Sequence, residues 1–303
     1  MKSRRSFLGS AGSTLAAAGA TGALSATEKP VFSFGLMADC QYADAEPRWA
    51  RFYSESPRKL EEAVDELNQH ELAFTFHLGD FIDRDFESFA DLAPIAAKLQ
   101  SKLHHALGNH DFDVVDERKA DVLRTLGLER GFYSIRKDGF RFVVIDTTDF
   151  STYRYPKNSE ESRLAAVEMK RLEEEGSSAA KPWNSRPGDA QIAWLETELK
   201  AATKEGEVVI VCGHHPILPN AGLSIWNAAA MNELLQKYRC VKLYLNGHDH
   251  EGHYVDSEAL HYLTLDGMVE TENENAFAVA DLYNDRLEIS GFGRQESFKL
   301  DFR

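Results

Sequence analysis

Ala73-Phe74-Thr75-Phe76-His77-Leu78-Gly79-Asp80-Phe81-Ile82-Asp83-Arg84 reads in two halves. The first six residues are mostly aromatic, β-branched or aliphatic, a composition that fits a short strand buried in a sheet. The second half opens on glycine and sets two carboxylates and a guanidinium where that strand must end. The same order recurs along the chain. The run 31–38 leads into Asp39-Cys40-Gln41, 103–107 into Gly108-Asn109-His110-Asp111, 208–212 into Gly213-His214-His215, and 241–246 into Gly247-His248-Asp249-His250. A further run, 141–146, also reads as a strand.

Amphipathic segments separate these runs. Leu60, Ala63, Val64 and Leu67 keep helical spacing behind a Ser56-Pro57 start, since proline is tolerated in the first turn of a helix. Asp189 caps a stretch that sets Ile192, Leu195 and Leu199 on one face. Further helices are predicted near 86–99, 117–126, 159–175 and 224–238. Strands alternating with helices predict an α/β layered fold. Residues 150–190 depart from that rhythm: Tyr153, Tyr155, Trp183, Pro156, Pro182 and Pro187 surround a charged helical stretch. The segment reads as an inserted cap, and connections of this length are often functional. The tail from 261 to 298 returns to strands, with turns expected at Asn284-Asp285 and Gly291-Phe292-Gly293.

The chain has 303 residues, 43% of them hydrophobic, and a net charge of −15. Its start, Lys2-Ser3-Arg4-Arg5-Ser6-Phe7-Leu8 followed by an uncharged Ala/Gly/Leu/Ser stretch to Ala26, has the form of a twin-arginine export signal. The expected organisation is this signal over 1–26 and a catalytic body over 27–303, periplasmic or extracellular and without a membrane anchor once the signal is cleaved. Losing Lys2, Arg4 and Arg5 would take the charge from −15 to −18. So acidic a body disfavours nucleic acid as a partner. Bound divalent ions can reverse the local field, so charge does not exclude a phosphate substrate. Three cysteines, Cys40, Cys212 and Cys240, exclude a disulfide framework.

Taken alone, each polar cluster has an ordinary structural reading, because Asp, Asn and Gly are common turn residues. Five clusters at five strand ends are a different matter. In an open α/β sheet the crevice beyond the carboxyl ends of the strands is where ligands bind, and these loops would converge there. Glycine ahead of the last four clusters lets a backbone turn sharply and approach other groups closely. Mixed carboxylate, amide and imidazole donors suit Mn²⁺, Fe or Zn²⁺, whereas an all-oxygen set would suit Mg²⁺ or Ca²⁺.

On these motifs the sequence resembles the calcineurin-like metallophosphoesterase superfamily, whose pattern is Asp-x-His, Gly-Asp-x-x-Asp, Gly-Asn-His-Asp/Glu, Gly-His and Gly-His-x-His. Gln41 stands where most of that superfamily has His. Asp39-Cys40-Gln41-Tyr42-Ala43-Asp44 is in turn similar to the branch of manganese-dependent ADP-ribose/CDP-alcohol diphosphatases, as are Gly131-Phe132-Tyr133-Ser134 and Thr264-Leu265-Asp266-Gly267-Met268-Val269-Glu270. The resemblance implies a central two-sheet β-sandwich flanked by helices in four α/β layers, and two divalent ions, manganese first.

It further implies that Asp39, Gln41, Asp80 and His250 hold one ion, and that Asp80, Asn109, His214 and His248 hold the other. The chemistry expected is in-line attack of water on phosphorus. His110 would protonate the leaving oxygen, Asp83 would orient His110, and Arg84 would clamp phosphate. His215 and His253 flank the metal motifs as candidate substrate contacts. Tyr153, Tyr155, Trp183 and Trp226 are candidates for base recognition. His70, His77, His104 and His105 read as structural, and Asp249 as a turn or supporting residue. The substrate expected is a small nucleotide-linked diphosphate. The alternatives are an exported phosphodiesterase or phosphomonoesterase that scavenges phosphate, and a metal-binding scaffold on the same fold.

Overall fold

Phe140, Phe142 and Val144 pack into one apolar core, while Val143 between them packs into another. Side chains alternate across a strand, so this strand lies in a sheet covered on both faces. The computed structural model describes residues 28–257 and 260–303; the expected export signal over 1–26 lies outside the described residues.

The chain opens with β1 (Phe32–Met37), α1 (Ser56–Leu67), β2 (Leu72–His77), α2 (Ser88–Ala96), β3 (Leu103–His105) and the short α3 (Val122–Thr125). It continues through β4 (Tyr133–Lys137), β5 (Phe140–Val144), α4 (Glu160–Glu174), α5 (Asp189–Glu205), β6 (Val208–Cys212) and α6 (Ala228–Lys237). The last strands are β7 (Val241–Asn246), β8 (Glu251–Ser257), β9 (Leu260–Asp266), β10 (Ala276–Leu282), β11 (Arg286–Gly293) and β12 (Phe298–Asp301).

Two mixed sheets result, ordered β12-β11-β10-β1-β2-β3 and β4-β5-β6-β7-β9-β8. Their facing sides share a core in which Phe142 meets Phe34 and Phe74 edge-on, with ring centroids 5.2 and 5.1 Å apart. Each such buried side chain contributes roughly 1.5–3 kcal/mol. Leu60, Val64 and Leu67 of α1 and Leu92 of α2 cover the outer face of the first sheet. Leu195 and Leu199 of α5 and Met231 and Leu235 of α6 cover the second. The layers are therefore helix, sheet, sheet, helix. β1, β2 and β3 run parallel, as do β5, β6, β7 and β9. Their carboxyl ends, and with them all five polar clusters, lie on one edge of the sandwich.

Several boundaries differ from expectation. The helix expected over 117–126 is a 3-10 stretch, Asp116–Asp121, running into α3. The turn expected at Gly291-Phe292-Gly293 is strand, because Phe292 stacks on Phe277 of the neighbouring strand at 4.8 Å and 3°. β4 and β8 are edge strands that the apolar pattern does not show. β4 had a local signal: Asp138-Gly139, both at positive φ (49° and 86°), closes the hairpin onto β5. In the 150–190 segment, Ser159 caps α4 by accepting from Ser162 N at 3.1 Å. Ala165 of α4 packs with Ala179 and Trp226.

Burial lowers the pKa of His104 and of His105 to about 4. The unfolded chain binds a proton at each near the ordinary imidazole value, and the folded chain does not until about pH 4. That contribution to stability is thus complete above the ordinary value and lost as pH falls toward 4. The denaturant midpoint is expected to drop between pH 7 and pH 5, and to drop less in His104→Phe; equal slopes for the two proteins contradict this.

Candidate metal centre and cleft

Four of the residues expected to hold metal have a backbone conformation that L-residues avoid. Asp39, Gln41, Asp80 and His248 have φ of 54°, 43°, 57° and 70°. Each such residue costs of order 1–3 kcal/mol and persists only where its surroundings fix it. Here they do: Asp39 N donates to Gly79 O at 3.1 Å and Gln41 N to Asp80 O at 2.9 Å. The fully buried Asp111 carboxylate ties the loops after β2 and β3 together by accepting from Phe81 N (2.8 Å), Gly108 N (2.9 Å) and Asp80 N (3.2 Å).

Glycine is required where these loops cross. A Cβ on Gly108 would lie 2.1 Å from Asp80 Oδ1 and 2.2 Å from Asp80 N. One on Gly79, at φ +98°, would meet His214 Nδ1 at 2.4 Å. Each glycine makes room for a side chain or backbone from another cluster.

The seven residues expected to hold metal are brought into one contiguous group. Asp80 Oδ2 lies 3.0 Å from Gln41 Nε2 and 3.1 Å from His214 Nε2. His214 Nε2 is also 3.2 Å from Asn109 Oδ1 and 3.3 Å from His248 Nδ1. Asp39 accepts from His248 N at 3.2 Å, and its Oδ1 is 3.5 Å from His250 Nε2. Gln41 Nε2 is 3.2 Å from His250 Nε2.

The three imidazoles share a pattern. His214 Nδ1 donates to Leu78 O at 2.8 Å, and His250 Nδ1 donates to the Glu270 carboxylate at 2.7 Å. His248 Nε2 pairs with Asn184 Oδ1 at 3.2 Å. In each ring the outer nitrogen is tied to an acceptor, so whenever the inner nitrogen gives up its proton the lone pair points inward; outer partners of this kind orient metal-binding histidines. Gln41 Oε1 is buried without a partner among the described residues, which leaves a neutral oxygen donor in the same group. Carboxylate, amide and imidazole donors with fixed tautomers fit a divalent ion of intermediate softness.

The charges within the group support one another. Burial works to raise the Asp80 pKa, yet His214 and His110 outweigh it and hold the carboxyl well below its usual range. Burial likewise opposes the charged form of His214, but Asp80 pushes it up to about 9. His250 also reaches about 9 despite burial, through its hydrogen bonds to Asp39 and Glu270.

A cleft of about 1250 Å³ opens over this group. His110 lines it, with Nδ1 2.8 Å from Asp83 Oδ1. Burial lowers the His110 pKa, but Asp80 and the Asp83 hydrogen bond outweigh it and leave it raised. Tyr153 and Trp183 of the 150–190 segment also line the cleft.

Other candidates stand elsewhere. Arg84 does not reach the cleft wall, because its guanidinium stacks over Tyr53 at 4.5 Å and pairs with Asp83 at 3.3 Å. His215 is fully buried behind His248, its nitrogens taken by Thr147 Oγ1 (2.8 Å) and Trp183 O (3.0 Å), so it supports the site rather than touching substrate. Trp226 is buried against Phe150. Tyr155 sits beside Arg154, and His253 pairs with Asp249 at 2.7 Å; neither lines the cleft. Arg51, Lys157, Asn184 and Glu270 were given no role by the motifs. Arg51 and Lys157 line the cleft, while Asn184 and Glu270 hold site histidines.

Residues 32–252 match the family model described as calcineurin-like phosphoesterase. The chain belongs to this family. A manganese-dependent ADP-ribose/CDP-alcohol diphosphatase of Arabidopsis thaliana is 30% identical over 307 residues, covering 90% of this chain and 98% of that protein. The human protein of the same name is 25% identical over 321 residues, covering 90% of this chain and 93% of its own length. Among solved structures, a dimetal phosphatase from Danio rerio superposes with a TM-score of 0.80 at 26% identity, covering 91% of this chain and all (100%) of that one. As a calcineurin-like phosphoesterase, the protein is a metal-dependent hydrolase of phosphoric ester or anhydride bonds, built as two mixed sheets between helices.

Proposed function

We propose that the protein hydrolyses the phosphoanhydride bond of nucleoside diphosphate-linked compounds of the ADP-ribose or CDP-alcohol type, using two divalent ions, manganese first. The observation that carries this reading is the group of seven donors in which all three imidazoles have the outer nitrogen tied and the inner one turned toward a shared centre. Relatives that align with about nine-tenths of the chain and are named for that activity support the substrate class.

In this reading Asp39, Gln41, Asp80 and His250 hold one ion and Asp80, Asn109, His214 and His248 the other, with Asp80 shared. Two such ions supply Lewis acidity toward the phosphoryl oxygens and lower the pKa of water. His110 keeps a proton available at Nε2 for the leaving phosphate oxygen, and Asp83 fixes its ring through Nδ1. Arg51 and Lys157 on the cleft wall, in place of Arg84, hold the second phosphate. Trp183 and Tyr153 face the nucleoside. The comparisons favour this activity over phosphate scavenging by a phosphomonoesterase.

The test is a panel in which the Mn²⁺-loaded protein meets ADP-ribose, CDP-choline, bis-p-nitrophenyl phosphate and p-nitrophenyl phosphate. Turnover of the first two is expected to exceed the others, and absence of anhydride cleavage contradicts the assignment. His110→Ala is expected to lose about 10²- to 10⁴-fold in kcat while keeping Mn²⁺ uptake. We also propose export through Arg4-Arg5. Changing both to Lys should leave the protein in the cytoplasm, and undiminished export of that variant refutes the proposal.

A further inference from the structure

Helix α1 carries two polar side chains that reach away from the helix itself. Ser56, the first residue of the helix, donates through Oγ to Cys40 O, between Asp39 and Gln41. One turn on, Lys59 is fully buried. Its ammonium donates to three backbone carbonyls, Met268 O at 2.9 Å, Glu270 O at 2.8 Å and Thr271 O at 2.5 Å. A lysine is almost never fully buried unless it is paired with a carboxylate. Among the described residues none lies within ion-pair distance of this one.

The segment that Lys59 gathers backs one half of the candidate metal centre. Val269 N donates to Asp39 O at 2.9 Å and Met268 N to Ala38 O at 3.1 Å. Glu270 takes His250 Nδ1 at 2.7 Å. Thr271, at φ +62°, curls the segment around the ammonium. Asn275 Nδ2 returns to Lys59 O at 2.7 Å, so α1 grips the segment from both sides.

We propose that Lys59 is a positioning residue for the Asp39–His250 half of the metal centre. By collecting three carbonyls on one ammonium it fixes Glu270, and Glu270 in turn fixes the ring orientation and tautomer of His250. Ser56 does the same for the Asp39–Gln41 loop from the same helix. The inference rests on the reading of Asp39 and His250 as metal residues.

The test is Mn²⁺ titration of the metal-free full chain by calorimetry, well below any melting temperature, for the wild type, Lys59→Met and Leu199→Ala. Leu199 is a fully buried α5 residue in the core between the second sheet and its helices, so its loss lowers stability without touching the centre. Lys59→Met is expected to weaken one of two Mn²⁺ sites by roughly ten- to a hundred-fold and leave the other near its wild-type affinity. Leu199→Ala is expected to melt lower and bind as the wild type does. Wild-type affinity at both sites in Lys59→Met overturns the proposal, as does equal weakening in Leu199→Ala, which would assign the effect to lost stability. A wild type that binds no Mn²⁺ overturns the metal reading itself and is seen in the reference titration. Should Lys59→Met not fold, Lys59→Gln, which keeps two N–H donors against the three of the ammonium, is read in the same way.

Discussion

Asp80→Asn is expected to lower kcat/KM on ADP-ribose or CDP-choline by on the order of a thousand-fold. Asp80 is the one carboxylate whose oxygens reach Gln41, His214 and the backbone of His110 together. An amide is almost the same size and can still accept from His110 N at Oδ1. It replaces the second oxygen with an NH₂ that faces His214 Nε2 and Gln41, so one oxygen donor and the negative charge are both lost. The variant should fold and give the far-ultraviolet spectrum of the wild type, but take up fewer Mn²⁺ ions. His110→Ala separates the two kinds of damage, since its activity falls with Mn²⁺ uptake intact. Full activity in Asp80→Asn would contradict a shared carboxylate.

Gly108→Ala should be nearly as damaging through a single methyl. The added Cβ has nowhere to go: Asp80 N is backbone, held by Asp111, and Asp80 Oδ1 is held by His110 N at 2.7 Å. Relief requires the loops after β2 and β3 to separate, which breaks the Asp80–Asn109 side of the centre. The expected cost is roughly 1–3 kcal/mol of stability, with loss of Mn²⁺ binding at the site that includes Asn109. Gly222→Ala is the control, because the nearest atom to its Cβ is Ser178 O at 3.8 Å. Melting curves and Mn²⁺ titrations of both variants settle the matter; a Gly108→Ala protein that melts and binds like wild type contradicts the crossing of the loops.

The candidate centre was legible in the sequence because its inner donors come in runs of three to six residues at strand ends, each run announced by apolar residues and often by glycine. What lies one shell out was not. His214 depends on the Leu78 carbonyl, 136 residues away, and His248 on Asn184, 64 residues away. A main-chain oxygen has no side-chain signature, and an isolated Asn inside an irregular segment looks like any turn residue. The motif read Arg84 as a cleft cation, but its guanidinium found an aromatic ring and a carboxylate nearer by, and Arg51 arrived from a loop without periodicity. Trp226 follows the His214-His215 motif in sequence, but packing against Ala165 of α4 and Ala179 buries it. The layered α/β order followed from apolar runs, whereas β4 and β8, partly exposed strands on the sheet edges, lack the continuous apolar pattern of the buried strands.

The seven side chains are expected to act as one two-ion centre. Calorimetric titration of the metal-free protein with Mn²⁺, with bound manganese counted by elemental analysis, is the decisive measurement. Two ions per chain are predicted in the wild type, falling in His214→Ala and in His250→Ala, with hydrolysis abolished by chelation and restored by Mn²⁺. A chain that binds no ion, or that hydrolyses its substrate at full rate after exhaustive chelation, would contradict it.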